Sequence, residues 1–192
     1  VEGIHSISYL TNETLFEIKK LPRSMVVMGG GPIGTELAMA LNRLGVKTYL
    51  VEMMDGILIR EDRELAGILE RALVSEGVKL YTSTKVVRLE KAKNGVKIHL
   101  ADKSGNNSII HAETVLVAVG RKPNVEGLDL GKAGVAYTAG GITTDMYLRT
   151  TAPGIYACGD VVGPYQFSHM ACLLYTSPSP RDRTRSRMPS SA

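Results

Sequence analysis

Six residues, Gly29-Gly30-Gly31-Pro32-Ile33-Gly34, constrain this chain more than any other stretch. They follow Ser24-Met25-Val26-Val27-Met28, a continuous apolar run of the kind that suits a buried parallel strand. They open a segment, Thr35 to Leu44, whose Leu37, Ala38, Leu41 and Leu44 share one helical face, with Gly45 placed to cap its C-terminus. A second apolar strand, Lys47-Thr48-Tyr49-Leu50-Val51, ends at Glu52. Strand, glycine turn, helix and strand together make a βαβ unit of about thirty residues.

A GxGxxG pattern alone is weak, because small residues in loops satisfy it often. Here Gly29, Gly31 and Gly34 fall between a strand and a helix, which is the context the pattern requires. Gly29 permits a tight turn, Gly31 lets backbone approach a pyrophosphate, and Gly34 allows close helix–strand packing. The helix N-terminus offers unpaired N–H groups and partial positive charge to phosphates. Gly30, Pro32 and Ile33 complete the turn. Glu52, about twenty residues beyond the glycines, is placed to accept ribose hydroxyls. The same carboxylate would oppose the extra phosphate of NADP, so the reading is NAD(H), with neighbouring Arg60 the residue that would soften the preference.

The rest of the chain alternates between two periods. Glu61 to Ser75 reads as a helix, with Leu65, Ile68, Leu69, Ala72 and Leu73 at helical spacing and Gly77 beyond its end. Val78-Lys79-Leu80-Tyr81 is the next parallel strand. The pattern then shifts to period two at Val86–Leu89, Val96–Leu100 and Ser108–Ile110, with Asn94-Gly95 a hairpin turn between the first two. Thr114 to Val119 returns to a continuous buried strand. A short helix is expected over Thr11–Glu17 and a short strand over Ile155–Cys158. The expected fold is α/β: a Rossmann-like parallel sheet with helices on both faces and an inserted three-stranded antiparallel meander.

Charge and composition remove several function classes. The formal charge is +4, but Arg181, Arg183, Arg185 and Arg187 against Asp182 put +3 of it in residues 172–192. The remainder holds +1 and no basic stripe, so no nucleic-acid partner is expected. Residues 172–192 are rich in Ser, Pro and Arg, lack periodicity, and resemble the translation of sequencing-adapter read-through; they are expected to be a non-native disordered tail. Cys158 and Cys172 make no paired motif, and His5, His99, His111 and His169 have no ligand spacing, so no metal site is expected. No apolar run reaches the ~20 residues that span a bilayer, and no signal peptide opens the chain, so no membrane and a cytoplasmic location are expected. The opening Val1-Glu2-Gly3-Ile4, without an initiator Met, reads as the interior of a longer protein.

The run VVMGGGPIGTELAMALNRLGVKTYLVEMMDGIL resembles the NAD domain of class I pyridine nucleotide-disulfide oxidoreductases, the family of dihydrolipoamide dehydrogenase, mercuric reductase and glutathione reductase. Three further stretches are similar to that family in order and spacing: Tyr9-Leu10-Thr11-Asn12 to Leu21-Pro22, Val117 to Asn124 with its Gly120-Arg121-Lys122-Pro123-Asn124, and Gly154 to Asp160. The resemblance covers residues 1–171. It implies a fragment of a flavoprotein with two dinucleotide-binding domains: 1–22 as the end of a crossover from the FAD domain, 23–148 as the NAD(H)-binding domain, and 149–171 as the return into the FAD domain. It further implies FAD as a second cofactor and a homodimeric intact enzyme.

By the same resemblance, Glu36 lies near the nicotinamide–flavin junction and pairs with a lysine of the FAD domain. Val86 lies against adenine, Gly120 and Arg121 border the dinucleotide, Asp160 bonds the FAD ribityl chain, and Ser168 lies near the flavin dinucleotide. No catalytic residue is expected in this stretch. The family's CxxxxC pair and its active-site His and Glu belong to segments not represented here. The implied activity is hydride transfer between NAD(H) and FAD in a disulfide-type oxidoreductase. The alternatives are a flavin NADH oxidase or coenzyme-disulfide reductase, and a non-catalytic dinucleotide sensor. Gly30-Gly31-Pro32 with Val51-Glu52 resembles lipoamide-dehydrogenase NAD sites, whereas Tyr165-Gln166-Phe167 is similar to mercuric-reductase relatives. The electron partner (lipoamide, mercuric ion, another disulfide or a quinone) stays open.

Overall fold

The computed structural model describes residues 1–163 and residue 166. The chain divides into two compact units, Val1–Gly120 and the residues from Arg121 onward. This division by compactness differs from the cofactor-domain limits expected at 22/23 and 148/149. Ser168, His169, Cys172 and the expected tail 172–192 lie outside the described residues.

In the first unit the strands and helices run β1 (Ser24–Met28), α1 (Pro32–Arg43), β2 (Lys47–Val51), α2 (Arg63–Ser75), β3 (Lys79–Tyr81), β4 (Thr84–Ala92), β5 (Gly95–Asp102), β6 (Asn107–Ala112) and β7 (Thr114–Val117). Four of these strands form a parallel sheet in the order β3-β2-β1-β7. β4, β5 and β6 form the expected antiparallel meander, with a register shift between Val86 and Arg88. The fold class is the expected one, α/β with a parallel sheet, helices and an inserted antiparallel sheet.

The layers are arranged differently from the expectation of helices on both faces. Strand residues alternate sides, and Met25, Val27 and Leu50 bury one sheet face against Ala38 and Leu41 of α1 and Leu73 of α2. The opposite face, with Val26, Met28 and Val51, packs on Leu89, Ile98, Leu100 and Ile110 of the meander. Both helices therefore cover one face and the meander covers the other. The period-two strands supply the apolar layer that a helix would otherwise provide.

Local chemistry explains the element ends. α1 begins at Pro32 rather than Thr35, with Gly31 as N-cap, because a proline at the first helical position lacks only an N–H that has no helical partner anyway. α2 begins at Arg63 rather than Glu61, since the Asp62 carboxylate accepts the N–H groups of Glu64 and Leu65. On α2 the buried residues are Ala66 and Leu73, while Leu65 and Ile68 face solvent. The expected helix over Thr11–Glu17 is a single 3-10 turn, Thr14–Glu17. Before it, Leu10 bridges Leu116 and covers the outer edge of β7.

The second unit holds a two-stranded hairpin, β8 (Tyr137–Thr138) with β9 (Gly141–Ile142), and a small apolar cluster of Val135, Ile142, Ala152 and Ala157. The strand expected over Ile155–Cys158 is only an isolated bridge between Arg149 and Tyr156. Gly154 ahead of it and Gly159 behind it turn the chain with positive φ, which leaves too short an extended run to form a ladder.

Candidate dinucleotide site

The glycine turn is built by exclusion at two positions and by vacancy at a third. Gly29 has φ +102°, and a Cβ there would lie 2.4 Å from the Ala118 carbonyl oxygen. Gly34 is in α1, and a Cβ on it would lie 1.9 Å from the Gly29 oxygen. Neither position tolerates a side chain without moving backbone. Gly31 differs: a Cβ there meets nothing within 4 Å. Among the described residues no packing contact requires a glycine there, and close passage of a pyrophosphate would. Pro32 and Ile33 follow as the first residues of α1.

The electrostatics of the helix end agree with that use. No side chain caps the N-terminus of α1, and its first turn carries no acidic residue. First-turn N–H groups without a capping side chain and the positive end of the helix dipole favour an anion there. Glu36 lies further along α1, exposed to solvent.

Glu52 stands at the end of β2 and is half-buried. One carboxylate oxygen accepts the Gly30 N–H at 2.5 Å and the other accepts the Met54 N–H at 2.7 Å. Each oxygen retains acceptor capacity, so a carboxylate fixed in this way can receive ribose hydroxyls. Its backbone also joins neighbouring strands: Glu52 N–H donates to Tyr81, and Thr84 N–H donates to Glu52. That contact brings the start of β4 beside the glycine turn. Val86, half-buried on β4 next to the register shift, is two residues further on. The residues from Gly29 to Gly34, Glu52 and the start of β4 are thus gathered at the carboxyl ends of β1 and β2. Dinucleotides bind at this end of such a sheet.

Other expected residues are grouped elsewhere. Gly120 is exposed, with φ +138°, at the last position of the first unit. Arg121 and Asp160 belong to the second unit and form an ion pair, with the guanidinium donating to the carboxylate. Asp160 is the only flavin contact expected from sequence that falls among the described residues, and one residue does not make a flavin site. Ser168 lies outside the described residues. Among the described residues, no group of three or more His, Cys, Asp or Glu side chains is placed to hold a metal ion. No helix there is long and apolar enough to cross a membrane.

Sequence reasoning missed Thr35, Ile57 and Leu58. The buried Thr35 hydroxyl donates to the Gly30 carbonyl at 3.1 Å, and the Leu58 N–H donates to the same oxygen at 2.8 Å. Thr35 follows the last glycine directly and could have been read as part of the turn. Ile57 and Leu58 lie in an irregular segment where no periodicity marks burial.

The family model for pyridine nucleotide-disulphide oxidoreductases matches residues 1–177. The chain belongs to this family. It is 43% identical over 153 residues to a dihydrolipoyl dehydrogenase of Thermus scotoductus, covering 79% of this chain and 33% of that protein. It is 36% identical over 172 residues to a mercuric reductase of Bacillus cereus, covering 89% of this chain and 27% of the relative. Among solved structures, the Cu(II) complex of the HOCl-induced flavoprotein disulfide reductase RclA from Escherichia coli superposes with a TM-score of 0.80 at 30% identity. That match covers 91% of this chain and 40% of the other. The chain spans about a third of the length of the curated relatives it matches. The family's enzymes are oxidoreductases that use FAD and NAD(P)H.

Proposed function

We propose that this chain is the NAD(H)-binding part of an FAD-dependent, disulfide-type oxidoreductase, with residues 23–148 as the dinucleotide domain. The observation that carries the proposal is the empty space at Gly31, at an uncapped helix N-terminus beside a carboxylate already fixed on the turn. In this reading Gly29 to Gly34 hold the pyrophosphate, Glu52 the adenosine ribose, and Val86 the adenine. Glu36 and Gly120 face the nicotinamide end. When both cofactors are bound, they supply hydride transfer between the nicotinamide and the flavin; the chain's residues bind and orient. Asp160, oriented by Arg121, is assigned to the flavin side together with Ser168. The remaining flavin contacts fall to parts of the relatives that the match does not span. Family membership supports a homodimeric intact enzyme, and the cytoplasm is its proposed location.

Glu52 makes the proposal specific. With both oxygens tied to backbone N–H groups, the carboxylate is held in place, so the 2′-phosphate of NADPH meets a like charge. Titration of the purified chain with NADH and NADPH, followed by calorimetry, is the test. NADH should bind, and NADPH should bind at least ~10-fold more weakly, given like-charge costs of several kcal/mol. Equal or tighter NADPH binding overturns the preference. Absence of binding by both overturns the assignment of the domain.

A further inference from the structure

The Gly30 peptide is held through both its N–H and its carbonyl. Its N–H is taken by Glu52, and its carbonyl accepts from Leu58 N–H and the Thr35 hydroxyl. Its α-carbon rests on Ile57, since a Cβ at Gly30 would lie 2.9 Å from Ile57 Cγ2. Ile57 is fully buried in the main core, although the segment between β2 and α2 has no regular structure.

A buried residue in an irregular segment must find partners for its peptide groups outside any ladder. For Ile57 both come from side chains of α2. Glu70 Oε1 accepts the Ile57 N–H at 2.9 Å, and Arg63 Nη1 donates to the Ile57 carbonyl at 2.7 Å. Arg63 and Glu70 also approach each other to 3.7 Å. Their spacing of seven residues is two helical turns, which puts both on one face of α2. Gly56 leaves room for the pair, because a Cβ there would lie 2.1 Å from Arg63 Nη2. Leu58, the next residue, has φ +50°, a strained conformation for a non-glycine residue. Such strain persists where surroundings over-determine it. Here the buried Ile57 on one side and the Leu58-to-Gly30 hydrogen bond on the other do so.

We propose that Arg63 and Glu70 are positioning residues for the dinucleotide: they hold Ile57, and Ile57 with Leu58 fixes the Gly30 peptide in its binding orientation. The inference rests on the NAD(H) reading of the turn. Their hydrogen bonds go to Ile57 rather than to the turn or Glu52; both act through the segment between β2 and α2.

The test uses the whole 192-residue chain, with NADH affinity from calorimetry and amide hydrogen exchange at Gly29, Gly30, Gly31 and Ile33 read without ligand. Glu70→Ala should weaken NADH by roughly 10-fold or more, as misplacement from behind a site does. It should also speed exchange at Gly30 while far-UV circular dichroism is kept. Glu70→Gln retains an acceptor for the Ile57 N–H and should restore most of the affinity, which a loss of bulk stability would not explain. Arg63→Gln, at a half-exposed side chain, supplies the second variant if Glu70→Ala does not fold. Wild-type affinity and unchanged Gly30 exchange in Glu70→Ala, or in Arg63→Gln if that is the folded variant, overturn the inference. Wild-type protein that fails to bind NADH instead overturns the NAD(H) reading, and the exchange comparison still decides whether the clasp holds the turn.

Discussion

The two compact units of this chain differ in how completely each buries itself. The first has two extensive cores, one on each face of its parallel sheet, and its irregular segments are tied to those cores by hydrogen bonds. The second has four residues in its buried cluster, among the described residues, and leaves Met146, Tyr147, Ile155 and Tyr156 exposed. A helix or sheet is stable when its apolar face is covered, and the parallel sheet of the first unit meets that condition on both faces from that unit's own residues. The second meets it only in part. The comparison teaches that the candidate dinucleotide site rests on a sheet covered on both faces, whereas Arg121 and Asp160 sit on structure with a small core among the described residues.

Core truncation should sharpen the contrast between the units most clearly. Leu50→Ala empties a fully buried position in the first unit and should cost about 2–5 kcal/mol, read by urea denaturation, with NADH binding lost under mild denaturant. Ile142→Ala in the second unit should cost less and leave NADH affinity intact. Equal loss of binding in both variants would erase the distinction between the units.

The next largest effect separates Gly29 and Gly34 of the turn, where a Cβ clashes, from Gly31 of the same turn, where it has room. Gly34→Ala forces a Cβ against the Gly29 carbonyl and should destabilise the fold by roughly 1–3 kcal/mol. Gly31→Ala has room and should melt like wild type, yet bind NADH more weakly because its new methyl occupies the pyrophosphate path. A stable Gly34→Ala, or a Gly31→Ala with full affinity, would contradict the assignment.

Acid stability should follow the first unit as well. Bidentate hydrogen bonds from Arg43, each 2.6 Å, hold the Glu76 carboxyl below its ordinary value of 4.5. Hydrogen bonds from Asn106 hold the Asp102 carboxyl below 3.8. A depressed folded value means the unfolded chain takes up the proton first. The stabilisation is therefore present above the ordinary value and disappears as pH falls through the lower, folded one. Thermal melts across pH 5 to 2 should show a falling Tm, and Glu76→Gln should flatten that fall. An unchanged slope in Glu76→Gln would remove Glu76 from the account.

The smallest effect is expected at Arg121→Gln. Its partner Asp160 and Arg121 itself are each more than a third exposed, so loss of the pair should change stability by about 0.2–1 kcal/mol. With Arg121 assigned beside Asp160 to the flavin side, NADH affinity should not change; a loss of affinity would return Arg121 to the border of the dinucleotide. A large stability loss would mean that the second unit depends on this pair more than its exposure suggests.

How legible all of this was in the sequence varied with the kind of signal. β1 and β2 were readable to the residue because continuous β-branched and apolar runs end at glycines or Glu52. The meander strands were readable in number but not in length. β4 carries Lys85, Glu90 and Lys91 near its ends, charged residues that look like loop residues when no partner strand is known. Leu65 and Ile68 have helical spacing yet face outward, because a helix has one buried stripe and α2 carries apolar residues on more than one. The turn from Gly29 to Gly34 and Glu52 were legible because their chemistry is local. Ile57, Arg63 and Glu70 were not, since their meeting depends on how an irregular segment folds back on a helix.

Strand β7 reaches its place beside β1 only after the whole meander has been traversed: Met25 pairs with Thr114, 89 positions later in the chain. During synthesis, β1, α1 and β2 leave the ribosome long before either β7 or the layer that covers Val26, Met28 and Val51. The nascent chain thus carries an open strand edge and an apolar sheet face until residue Val117 has emerged, a period in which chaperones have something to hold.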